Sequence, residues 1–258
     1  MKLLKKLIAA VTLLPVLAVA PAFASEGGHP LDRAPDQSRN LSSLQNGAKL
    51  FVNYCLNCHS ASAMRYNRLR DIGLTEEQIK NNLMFTGEKV GDLMKIAMSP
   101  SDAKAWFGAT PPDLSVIARA KSSEAGTGAD YLYTYLRTYY QDSARPTGSN
   151  NLAYANTAMP NVFWELQGLR NAKFSEQKDP HDPTKSVHTF AGFEQVTPGK
   201  MSVNEFDTAM ADLVSYLSWM SEPAQNKRRQ LGVWVLLFLG VFLVLAWRLN
   251  ASYWKNVK

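Results

Sequence analysis

The sequence predicts a mainly α-helical protein, an exported helical domain followed by one C-terminal transmembrane helix. Three observations carry this expectation. Val203, Phe206, Met210, Leu213, Leu217 and Met220 recur at spacings of three and four, an apolar stripe along one helix face. Leu231 to Trp247 is a run of 17 residues without a charge. As a helix such a run rises about 25 Å, close to the hydrocarbon thickness of a bilayer. The chain opens on MKLLKKLIAAVTLLPVLAVAPAFAS, the pattern of a removable export signal.

In that leader, Lys2, Lys5 and Lys6 precede an apolar run from Leu7 to Val19, and Ala22-Phe23-Ala24 predicts a cut before Ser25. The run is short and is broken by Pro15 and Pro21, which argues against a second anchor. The predicted organisation is a signal peptide at 1–24, a periplasmic domain at 25–226, an anchor at 227–250 and a cytoplasmic tail at 251–258. Trp234, Trp247, Tyr253 and Trp254 suit the membrane interfaces. Lys227, Arg228 and Arg229 flank one end of the span, and Arg248, Lys255 and Lys258 the other. Basic flanks therefore do not set the orientation; the export signal does, leaving the domain outside the bacterial inner membrane.

Residues 25–42 are polar and read as an extended lead-in. Leu44 to Tyr54 reads as a helix with Leu50, Phe51 and Tyr54 on one side, and RYNRLRDIGL as a second helix. TEEQIKNNLM follows, with Thr75 as its cap. Residues 86–115 carry Gly87, Gly91, Pro100, Gly108, Pro111 and Pro112 and read as irregular. ADYLYTYLRTYY, from Ala129, reads as an aromatic-rich helix, and 141–160 as a polar loop ending in Ala158-Met159-Pro160. Residues 165–200 show no firm period and leave a short hairpin open. Ser202 and Glu205 form a capping box ahead of the apolar stripe, and Pro223 ends that helix.

The formal charge of +6 is set by the ends of the chain. From Ser25 to Asn226 there are 19 Lys and Arg against 22 Asp and Glu, a net of −3. Such a domain is not a nucleic-acid binder, and a mildly acidic surface suits a basic soluble partner.

Both cysteines of the chain stand in CLNCH, with His59 directly after Cys58. Three chemistries use such residues. A dithiol redox motif opens a helix after a strand in a βαβ unit, and no such pattern precedes Cys55. A zinc site needs four ligands, and the next histidines, His181 and His188, are more than a hundred residues away. The third is covalent haem attachment through C-x-x-C-H, in which both thiols become thioethers and the adjacent imidazole binds the iron. Export agrees with the third, because that attachment is made outside the bacterial membrane. The expected cofactor is one covalently attached c-type haem, held by Cys55 and Cys58, with His59 on the metal.

The sixth ligand decides between carrier and enzyme, because a methionine thioether closes the iron to small molecules and raises its potential. Met64 is too near His59 in sequence to reach the opposite side of the iron. Met210 and Met220 belong to the apolar stripe, and Met84 and Met94 read as core. Met98 in AMSP and Met159 in AMP remain, each beside a stiffening proline. Met159, after a long polar loop and directly before Pro160, is the better placed. His181 or His188 would be the bis-histidine alternative.

CLNCH, PPDLSVIARA, ADYLYTYLRTYY, PTGSNNLAYANTAMP and the LSWMSEP-anchor together resemble cytochrome c1, the haem subunit of the cytochrome bc1 complex, from about residue 44 to 258. The resemblance implies a c-type cytochrome domain with long insertions. It implies Met159, not Met98, as the second metal ligand, and Arg119 as partner of a haem propionate. Pro111, Pro112 and Tyr131 would line the pocket. It also implies cytochrome b and Rieske iron–sulfur subunits as partners, cytochrome c as acceptor, and a dimeric complex in the membrane. Residues 165–200 mix both charge signs where the family often has a more acidic insert, which leaves the docking surface open. Two other functions fit the motif: an independent membrane-tethered cytochrome c shuttle, and a haem enzyme with an open iron.

Overall fold

The structure is a computed structural model that describes residues 29–178 and 186–256. The expected export signal, His181 and the last two residues of the tail lie outside the described residues.

The domain is built on a helix crossing. Helix α1 (Leu41–Leu50) is capped by Asn40, whose side chain accepts from the backbone N–H groups of Ser42 and Ser43. Helix α7 (Val203–Ser221) is capped by Ser202 and Glu205 in the expected box. The two pack closely because Gly47 has no side chain. A Cβ there would collide with the carbonyl of Asp212 and lie 2.6 Å from Tyr216 Cβ. Polar contacts tie the crossing: Ser43 and Asn46 both donate to the Asp212 carboxylate, the latter at 2.8 Å. Phe206, Met210, Leu213, Leu217 and Met220 of the stripe are all buried. Met64 and Met94 are buried in the same core, and Met84 packs against it, so these methionines have packing roles.

Between these helices the chain departs from expectation in three places. After α1 it passes through a π-helical turn, Phe51–Cys55, closed by Leu56 N donating to Phe51 O at 3.0 Å. β1 (Ala61–Arg65), which was not expected, pairs antiparallel with β2 (Leu93–Met94), and RYNRLRDIGL follows as expected in helical form, as the 3₁₀ helix Tyr66–Ile72. Tertiary partners explain the strand: Ser62 N donates to Asp113 and Ala63 N to Ser115. Helix α2 (Glu76–Asn82) has the expected Thr75 cap. Helix α3 (Pro100–Phe107) lies inside the stretch expected to be irregular. Ser99 caps it, Pro100 stands in its first turn, and Gly108 ends it at φ 74°.

Helix α4 (Ile117–Ala120) is one turn, and α5 (Gly128–Arg137) begins with a Thr127–Asp130 capping box. The aromatic segment does not stay helical to its end. Tyr139 to Gln141 form β3, paired with β4 (Ser149–Asn151). Helix α6 (Trp164–Gln167) leads into a long hairpin, β5 (Gly168–Lys178) and β6 (Ser186–Pro198). The hairpin is fastened by Arg170, which donates to the carbonyls of Tyr139, at 2.9 Å, and Arg137, and stacks on Phe193 at 3.6 Å. Burial, with the charge of Arg137, lowers its guanidinium pKa to about 10.

Helix α8 (Gln225–Tyr253) leaves the domain after Pro223, and none of its residues is buried. With the short 3₁₀ turn Trp254–Asn256 it forms the one described helix long and apolar enough to cross a membrane, the expected C-terminal anchor.

Candidate functional site

A cavity of about 360 Å³ opens between the π-helical turn, α4, α5, α7 and the loops at 109–114 and 154–160, and its walls are largely apolar. Cys55 reaches it from the π-helical turn, and Cys58 and His59 from the turn that follows, in which His59 N donates to Cys55 O at 2.9 Å. No disulfide joins the two cysteines. Burial pushes the Cys55 thiol up to about 12, with Cys58 adding to the shift.

His59 is half-buried and oriented by its second ring nitrogen. Nδ1 lies 2.7 Å from the Pro112 carbonyl, which can only accept, so Nδ1 carries the proton and Nε2 keeps its lone pair. Burial lowers the imidazole pKa against the opposing effects of that carbonyl and of Asp113, which favours the neutral ring a metal ligand requires. The carbonyl is itself held in place. Leu114 N donates to Ser60 O at 2.8 Å, and Asp113 accepts from Ser62 N and Ser115 N, both at 2.8 Å. Residues 112–115 are thus laced alongside 59–63.

Met159 comes from the loop after β4, half-buried and packed against the core. It lines the same cavity as Cys55, Cys58 and His59. Met98 does not. It lines an adjoining cleft of about 220 Å³ with Ser60, Ser62, Ile96 and Asp113, which shares Cys58, Thr110 and Pro111 with the main cavity. Pro111, Pro112 and Tyr131 line the main cavity. Burial, with lesser help from Tyr135 and Tyr154, pushes the Tyr131 hydroxyl up to about 12.

Arg119 is the one predicted site residue the structure does not bring to the cavity. Its helix buries Ile117 and turns Arg119, two positions on, toward solvent. Lys121, four positions from Ile117, shares the cavity-facing side and is the sole Lys or Arg in the lining. Its ammonium lies 5.2 Å from the centre of the Tyr131 ring.

Sequence reasoning missed Lys121, Tyr135, Thr157 and the second role of Leu213 and Leu217, which face the cavity from α7. The four-residue spacing of Tyr131 and Tyr135 was a usable signal, since it puts both on one helix face, where they stack at 5.8 Å. No short-range signal marked Thr157 or Lys121.

Two sulfurs, one neutral imidazole nitrogen and one thioether converge on a single apolar cavity, a donor set that fits a c-type haem. A zinc site fits less well: among the described residues no group of three or more His, Cys, Asp or Glu stands together. His188 lies in the hairpin opposite Glu176.

Residues 34–257 match the Cytochrome C1 family. The chain belongs to the cytochrome c1 family. Cytochrome c1 of Allochromatium vinosum is 41% identical over 255 residues, covering 98% of this chain and 100% of that one. A Nitrosomonas europaea protein named ammonia monooxygenase gamma subunit is 44% identical over 247 residues, covering 95% and 97%. The mitochondrial cytochrome c1 heme protein of Saccharomyces cerevisiae is 23% identical over 264 residues, covering 93% and 73%. As a family member the chain is a haem protein of electron transport, and among the described residues one apolar helix is long enough to anchor it in a membrane.

Proposed function

We propose that this chain is the one-electron carrier subunit of a ubiquinol:cytochrome c oxidoreductase, taking electrons from a Rieske iron–sulfur protein and passing them to a cytochrome c. The observation that carries the reading is the convergence of Cys55, Cys58, His59 and Met159 on one cavity. Cys55 and Cys58 hold the haem, and His59 and Met159 are its metal ligands. Bound haem supplies a one-electron ferric–ferrous couple. The chain's own work is to keep His59 neutral through Pro112, to exclude water with the apolar wall, and to offer Lys121 as a cation at the rim. Arg119, turned outward, is left for the surface. No substrate bond is made or broken in this subunit.

The domain at 25–226 lies on the periplasmic side once the signal at 1–24 is removed, with 251–258 in the cytoplasm. Cytochrome b receives the anchor, within a dimeric complex. The relative named as a monooxygenase subunit favours a second reading, in which the same carrier serves a monooxygenase.

Purification of the full chain from its native membrane tests both. Co-purification of a cytochrome b and a Rieske protein, with quinol-dependent reduction of the carrier, is the expected result. A carrier isolated with neither would leave the independent shuttle. A monooxygenase in their place would favour the second reading.

A further inference from the structure

The segment from β4 to Met159 is polar, yet Ser149, Asn150, Asn151 and Thr157 in it are all buried. Their hydrogen bonds explain the burial. Asn151 donates to the Tyr135 carbonyl at 2.7 Å and accepts from Ala153 N at 2.9 Å and Thr138 Oγ1 at 3.2 Å. Asn150 Oδ1 accepts from Asn156 N at 2.8 Å, beside the one described non-glycine residue with positive φ, Asn156 at 61°. Its amide donates to Asp142 at 2.9 Å. The loop is therefore anchored at its base and its middle.

Near the ligand itself the anchoring passes to hydroxyls. Tyr135 and Thr157 share a hydrogen bond at 2.7 Å, and Tyr139 Oη lies 2.8 Å from Tyr135 Oη. Tyr139 Oη also lies 3.2 Å from the Met159 carbonyl, which receives its one proton when Tyr135 donates to Tyr139 and Thr157 to Tyr135. Among the described residues Tyr139 is the one side chain hydrogen-bonded to residue 159. Tyr139 is 1% exposed and does not line the cavity, so it acts on the ligand through the backbone. Pro160 restricts the chain on the other side of the same residue.

We infer that Tyr139, relayed through Tyr135 and Thr157, is a positioning residue that holds the Met159 thioether in place as a metal ligand. The inference rests on the reading that Met159 is that ligand. A carbonyl pinned within one residue of a proline leaves the thioether stem as the main freedom. Without the pin, residue 159 swings and the ligand position opens more often to competing molecules.

The test compares haem-loaded full-length wild type, Tyr139→Phe, Thr157→Val and Met159→Leu. Two readouts are taken: the weak red-end absorption band of methionine-ligated ferric haem, and the rate at which added imidazole is captured. A thermal melt accompanies each variant. Tyr139→Phe should keep its covalent haem but capture imidazole about tenfold faster, the effect of losing one buried hydrogen bond. Thr157→Val should move the rate in the same direction by less, and reports separately should Tyr139→Phe fold poorly. Met159→Leu should lose the band. Wild-type rates in both hydroxyl variants, with the band lost in Met159→Leu, would overturn the role of Tyr139 and leave the ligand reading intact. A band unchanged in Met159→Leu would remove the ligand reading and this inference with it.

Discussion

Replacing Gly47 by alanine sets two effects of opposite sign against each other. In an open helix, Gly→Ala stabilises by about 0.5–1 kcal/mol, because glycine loses more backbone freedom on folding. At the α1–α7 crossing the added carbon would lie 2.6 Å from Tyr216 Cβ and collide with the Asp212 carbonyl. Ordinary carbon–carbon contact is about 3.5–4.0 Å, so the helices must part by roughly 1 Å. The obstacles are helix backbone and a Cβ, which cannot swing aside as a side-chain tip would. Overpacking of this kind costs about 1–3 kcal/mol. The separation also stretches the bonds from Ser43 and Asn46 to Asp212. Packing should win, with a net loss of about 1–2 kcal/mol, or about 2–8 °C in melting temperature. Thermal unfolding of the haem-loaded chain in detergent, followed by far-ultraviolet circular dichroism, measures it. Gly91→Ala is the control, since a Cβ there meets nothing within 4 Å. A melting temperature for Gly47→Ala equal to or above wild type would refute the close-crossing argument. The same variant should lower haem incorporation, because α1 leads into the turn bearing Cys55 while α7 supplies Leu213 and Leu217.

Further outcomes follow from the site and its supports. Burial works to raise the Asp113 pKa, but hydrogen bonds from Ser115 and Ser62 outweigh it and hold the carboxyl below its ordinary value. That stabilisation is complete above the unfolded value, about pH 4, and is lost as pH falls through the folded one. Asp113→Asn should flatten the acid limb of the melting profile, and an unchanged limb would count against the Asp113 contacts. Lys121→Met removes the one cation of the cavity lining. The reduction potential should fall by about 10–40 mV, the worth of a solvent-screened charge, and a rise would contradict the account. Asp207→Ala strips Arg137 of a two-pronged partner, with contacts at 2.6 and 2.7 Å. Chemical denaturation should show a loss of about 1–3 kcal/mol, with Asp207→Asn milder.

How much of this was legible in the sequence varied with the range of the forces involved. Capping at Ser202, Thr75 and the stripe on α7 depend on residues three or four apart, and the structure follows them closely. The cap and stop of α3, Ser99-Pro100 and Gly108, were equally local and were passed over because the surrounding prolines and glycines suggested disorder of pattern. The strand at 61–65 was illegible, since its backbone donors are claimed by Asp113 and Ser115 some fifty residues on. The hairpin left open at 165–200 is present but long, at 168–198, and its length was not legible for a similar reason: it is fastened by Arg170 on Arg137 and Tyr139 carbonyls, contacts that no periodicity announces. At the site, C-x-x-C-H and the methionine before Pro160 stood out because their spacing carries the chemistry. Arg119 was expected at the cavity by resemblance, yet one helical turn with Ile117 inward faces it outward and presents Lys121 instead.

The central claim is that one haem is bonded to the chain through Cys55 and Cys58. Trypsin cuts after Lys49 and Arg65, so both cysteines and His59 fall on a single peptide of the denatured protein. Mass spectrometry of that peptide should show the mass of one haem added across both sulfurs. A peptide carrying two free thiols, or two thiols oxidised to each other, would contradict the account at its base.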